Sequence, residues 1–89
     1  MAAKEIDYKG AKGKIMMIGV KKKAKNFRGE LYVAVIQYGK KDQTQYDVVP
    51  DSTDSADVDD LPQVQTFTDR AKAIAHFMNL ENNKDRWKQ

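Results

Sequence analysis

The chain has 89 residues, 40% of them hydrophobic and 33% charged, with no cysteine and a formal net charge of +3. That length builds one domain around one modest core, and the lack of cysteine excludes disulfide staples, thiolate nucleophiles and sulfur-ligated metal sites together. No apolar run approaches the roughly 20 residues of a membrane span, and the amino terminus has no apolar signal segment, so the expectation is a soluble cytoplasmic protein with no membrane partner.

Charge is unevenly placed along the chain. Residues 1–49 carry a net +6, residues 50–61 a net −5 and residues 62–89 a net +2. A basic body interrupted by an acidic loop is the main electrostatic fact of the sequence.

Residues 1–13, rich in Lys, Gly and Ala, read as a flexible lead-in with room for a short strand at Ile6 to Tyr8. Lys14 to Val20 is a strand with apolar residues at both parities, which suits either a central strand or part of an interface. Lys21 to Gly29 follows as a basic loop holding one aromatic, Phe27. Glu30 to Gly39 is the strongest element, β-branched and aromatic. Its alternation places Leu31, Val33 and Val35 on one face and Tyr32, Ala34, Ile36 and Tyr38 on the other.

Lys40 to Gln43 makes a polar turn, and Thr44 to Val49 returns as the partner strand of an antiparallel hairpin. Pro50 and Pro62 bracket a stretch containing Asp51, Asp54, Asp57, Asp59 and Asp60, read as a solvated loop because proline stops pairing and little there can pack. Gln63 to Phe67 is a short fourth strand. Thr68 to Asn82 is a helix with Thr68 as N-cap, Asp69 in the first turn, and a stripe of Ala71, Ile74, Ala75 and Met78 widened by Phe77. Residues 84–89 form a basic tail with Trp87, a residue suited to capping the helix end or to stacking on a base. The predicted fold class is α+β, a single domain over 1–89: a small antiparallel sheet of three to four strands with one C-terminal helix packed on one face.

Catalytic constellations are missing. His76 is the only histidine and lies beside the apolar stripe, with no acid at i±4. The serines, Ser52 and Ser55, stand among carboxylates that disfavour an activated hydroxyl. The glycines at 10, 13, 19, 29 and 39 match no phosphate-binding loop. The five aspartates lack the spacing, central glycine and closing glutamate of a calcium loop. The expectation is a protein that is not an enzyme and has no cofactor and no metal site.

Binding is better supported. Lys21, Lys22, Lys23, Lys25 and Arg28 form a dense basic run, suited to phosphate contact with steep salt dependence. Lys40 and Lys41 extend it, although the hairpin topology puts them at the opposite end of the sheet. Tyr32 and Tyr38 share a face that one helix cannot also cover, with Tyr46 a candidate third member, and aromatics on an open sheet face are a known way to stack unpaired bases. The helix carries only Arg70 and Lys72, so no basic recognition helix for duplex DNA is present. RNA or single strands are therefore the expected partner.

The rival expectation is a protein-interaction module, an inhibitor or adaptor forming a homodimer through the uncovered sheet face. Under either reading the acidic loop has two candidate roles, to fold back over the lysines and weaken nonspecific binding or to contact a basic protein partner. In size, charge and lack of catalytic groups the chain resembles the small accessory proteins that bacteriophages use against host systems, some of which bind RNA. That is a likeness of type, carried by no particular residue.

Overall fold

Alternation in the central segment settles the frame of the molecule. Glu30–Lys40 forms an 11-residue strand whose Leu31, Val33 and Val35 side chains are fully buried. The computed structural model describes residues 4–87. Its strands are β1 (Lys4–Tyr8), β2 (Ala11–Ile18), β3 (Lys22–Lys23), β4 (Glu30–Lys40), β5 (Gln43–Ser52) and β6 (Gln65–Phe67), followed by helix α1 (Arg70–Asn82). The sheet is antiparallel, with spatial order β1-β2-β4-β5-β6, and β3 pairs with β4 beyond the end of β2.

The fold is α+β, an antiparallel sheet with a C-terminal helix against it, but it has six strands rather than three or four. The difference begins in the stretch read as a flexible lead-in, of which residues 1–3 lie outside the described residues. Lys9 (φ 50) and Gly10 (φ 76) both adopt left-handed backbone, the geometry that a two-residue hairpin turn needs. They close β1 onto β2 with Tyr8 opposite Ala11. β1 is short and largely polar, so its sequence carries little strand signal.

A second correction concerns Pro50. It lies inside β5, opposite Val33, and does not end the strand. β6 pairs with β5 only over Tyr46 to Val48. Beyond that point β5 has a neighbour on one side alone, so the missing proline N–H breaks no ladder on the other.

The core lies between the sheet and α1. Val33, Val35, Val48, Ala73 and Phe77 form it, with Met16, Met17, Tyr46, Phe67, Leu80 and Trp87 packed around them. A smaller cluster of Ala24, Phe27 and Leu31 sits at the start of β4, and Trp87 touches both. Trp87 thus joins two clusters instead of merely capping the helix.

The helix is rotated from its predicted setting. Ala73 and Phe77 are its buried residues, whereas Met78 is 54% exposed and Ala71 and Ala75 face outward. Both sides of this helix are apolar, so the larger volume of Phe77 and Leu80 decides which side packs. The N-cap is Asp69, not Thr68: its carboxylate accepts the Ala71 and Lys72 N–H groups. After the helix, Lys84–Arg86 makes a 310 turn in which Lys84 is only 4% exposed. The Lys84 ammonium donates to the Val20 carbonyl and the Glu81 carboxylate. The expected basic tail is therefore partly structural; its last two residues lie outside the described range.

Candidate nucleic-acid interface

The basic run is divided by its own hydrogen bonds. β3 holds Lys22 and Lys23 opposite Leu31 and Glu30. Lys22 pairs with Asp85 at 2.8 Å, both groups being more than half exposed. Lys23 turns inward to donate to the Phe27 carbonyl at 3.0 Å and to the Arg28 carbonyl, so its ammonium closes the loop. Lys21, Lys25 and Arg28 remain exposed at this corner. The Lys21 ammonium stands 5.6 Å from the centre of the Tyr32 ring, within cation–π range. Lys40 and Lys41 lie at the far end of β4, so they form no single cluster with residues 21–28.

Register separates the three tyrosines. Tyr46 pairs with Gln37 and packs against the helix-side core, so it does not join Tyr32 and Tyr38. Those two lie on the face opposite the helix, in unlike settings. The Tyr38 ring meets Tyr8 edge-on at 5.1 Å, and its hydroxyl donates to Asp47 at 2.9 Å. The Tyr32 hydroxyl donates to Asp51 at 3.0 Å, and burial followed by that carboxylate raises its pKa.

Asp47 organises the Tyr38 end of this face. Its fully buried carboxylate accepts from Tyr8 (2.6 Å), Tyr38 (2.9 Å) and Thr66 (2.6 Å), and pairs with Lys9 at 2.8 Å. Burial alone would raise the Asp47 carboxyl, but these donors outweigh it and hold the group below its ordinary value. Tyr8 reaches across β2 and β4, three strand spacings or about 14 Å in a flat sheet. The sheet must therefore coil toward this face. Gly13 makes room: a Cβ there would stand 3.2 Å from the Tyr8 Cβ and 3.3 Å from Ile36. At this end the Tyr38 ring is packed edge-on against Tyr8, and both Tyr38 and Tyr32 are partly buried.

The acidic segment is tied into the basic corner through Asp57, while Ser55, Ala56, Val58, Asp59 and Asp60 stay exposed as expected of a solvated loop. Ser55–Asp60 forms a 310 turn capped by Asp54. Asp57 is buried, accepting the Arg28 N–H (3.1 Å), the Gly29 N–H (2.9 Å) and the Ser52 hydroxyl (2.8 Å). The Gly29 N–H contributes most to lowering its pKa; burial opposes that, while Arg28, Ser52 and the Lys23 charge add to it. Gly29 itself has no space for a side chain, since a Cβ would lie 2.5 Å from the Asp54 nitrogen.

His76 lies half-buried against Phe67, ring centres 5.4 Å apart, and its Nε2 has no hydrogen-bond partner among the described residues. Among the described residues, no three His, Asp or Glu side chains converge as metal ligands. No helix among them is long and apolar enough to cross a membrane. Sequence reasoning missed Tyr8, Lys9, Asp47 and Thr66 as a unit, and which residues of the apolar 14–20 segment are exposed, namely Ile18 and Val20. An aspartate inside a strand, with Tyr38 on the neighbouring one, was the available signal for the first. Comparison with protein-family models, curated proteins and solved structures found no match.

Proposed function

We propose that the protein is a small non-enzymatic nucleic-acid-binding protein that takes RNA or single strands at the corner built by β3 and the 24–29 loop. The observation that carries this reading is the exposed trio Lys21, Lys25 and Arg28 around β3, with the Lys21 ammonium over the partly buried ring of Tyr32. Phosphates meet the cations, and Tyr32 offers a π-face to one base. Lys22 adds to the patch because its exposed pair with Asp85 is worth little in water. Lys23, bound to loop carbonyls, shapes the loop instead.

Log-affinity for a single-stranded RNA should fall linearly with log salt, by about 0.7 per phosphate contacted. Lys21→Ala, Lys25→Ala and Arg28→Ala should each lower both affinity and slope. Lys40→Ala and Lys41→Ala, at the far end of the sheet, should change them less. Unchanged binding in the triple variant at residues 21, 25 and 28 would refute the reading.

The alternative is an inhibitor or adaptor that dimerises through the uncovered sheet face. Ile18 and Val20 support it, being 58% and 78% exposed. Sedimentation at increasing concentration separates the two, since only the second predicts a dimer without nucleic acid.

A further inference from the structure

On the face opposite the helix, two rows of side chains cross the sheet beside Tyr32. Ile18 pairs with Ala34, and Ala34 with Val49, making one row. The next row contains Tyr32 and its partner Asp51. On the β2–β3 side, the Gly19 N–H donates to the Val33 carbonyl and Lys22 pairs with Leu31. Two residues, Val20 and Lys21, therefore stand opposite Tyr32 alone, a bulge that turns both out of the ladder. Three strands at a spacing of about 4.8 Å, and two rows separated by about 6.8 Å, give a platform of nucleobase size. It is apolar at Ile18, aromatic at Tyr32, cationic at Lys21 and carboxylate-bearing at Asp51.

The carboxylate is the informative group. In a patch that only held phosphates, Asp51 would repel the ligand. Its two oxygens accept from the Tyr32 hydroxyl at 3.0 Å and the Ser52 N–H at 2.8 Å. A carboxylate has about four acceptor positions, so both oxygens keep capacity. Guanine presents two adjacent donors, N1–H and the 2-amino group, that match two carboxylate oxygens. Adenine and cytosine present one amino group each. Uracil presents one N–H flanked by two carbonyls, which a carboxylate repels.

Resting on the nucleic-acid reading above, we infer that this platform holds one unpaired guanine, stacked on Tyr32 with its Watson–Crick edge on Asp51, and that Asp51 determines base preference. Lys21 leaves the Tyr32 ring as the base arrives and moves to the adjoining phosphate. The corner thus separates its tasks: cations hold the strand and Asp51 reads the base.

Fluorescence anisotropy with short labelled RNAs tests this, comparing an all-uridine strand with strands carrying one central guanosine, adenosine or inosine. The guanosine strand should bind about tenfold more tightly than all-uridine. Inosine, without the 2-amino group, should keep part of that gain. Asp51→Asn should bring the guanosine-to-uridine ratio to about one and strengthen the all-uridine strand, because an anion beside the phosphates is gone. Tyr32→Phe, which keeps the ring and releases an Asp51 lone pair, should preserve the ratio; circular dichroism checks that both variants fold.

A ratio near one in the unmodified protein, or one that survives Asp51→Asn, overturns the inference and leaves the phosphate-binding reading standing. Failure to bind any strand at low salt overturns both. Guanosine monophosphate binding more tightly than the guanosine strand would keep the platform but assign it to a free nucleotide.

Discussion

At the scale of single residues, the molecule relies on two buried carboxylates that gather donors from distant segments. Asp47 takes three hydroxyls and the Lys9 ammonium; Asp57 takes two backbone N–H groups and the Ser52 hydroxyl. Removing Asp47 leaves the Tyr8 and Tyr38 hydroxyls without their acceptor at a partly buried site. Asp47→Ala should cost about 3 kcal/mol in urea unfolding, and Tyr38→Phe about 1 kcal/mol. A smaller loss for Asp47→Ala than for Tyr38→Phe would show that the carboxylate does not organise this face.

Among the elements, the helix shows how a start signal is chosen between neighbours. Thr68 and Asp69 are both acceptable caps, but only Asp69 has its side chain on the Ala71 and Lys72 N–H groups. Asp69→Ala should cost about 1 kcal/mol, while Thr68→Ala should stay within a few tenths. Thermal unfolding of the two variants makes the comparison. The hairpin elements divide in the same way. β4 and β5 were legible because β-branched and aromatic residues alternate along them and a polar turn joins them. β1 was not, since its pairing rests on the left-handed backbone of Lys9 and Gly10 and on a tyrosine whose partner lies on β5.

Taken as a whole, the chain sets its most acidic segment against its most basic one, with Asp57 as the joint. Both Asp47 and Asp57 are held below the ordinary carboxyl range. Between the folded and unfolded values the unfolded chain binds more protons, so stability rises with pH across that window. The contribution is complete above about pH 4, the unfolded carboxyl value, and is lost as pH falls through the folded values. Urea midpoints should therefore drop below pH 4, and the drop should shrink in an Asp47→Asn, Asp57→Asn double variant. An equal drop in that variant would place the acid sensitivity elsewhere.

The candidate site was legible in part for the same kind of reason. Lys21, Lys25, Arg28 and Tyr32 could be selected by charge run and strand parity, which are local properties. The contacts of Lys22, Lys23 and Tyr38 could not be read there, because the groups that meet them, Asp85, the Phe27 and Arg28 carbonyls and Asp47, are defined only by how the chain folds back. By itself the sequence determined the α+β class, the central hairpin, the C-terminal helix and the charge segregation, all of which follow from periodicity and composition. Tertiary structure alone decided which helix side is buried, which aspartate of five goes inside, and which aromatic rings pack together. Volume at the helix–sheet contact chose the first, and donors converging from separate segments of the chain chose the others.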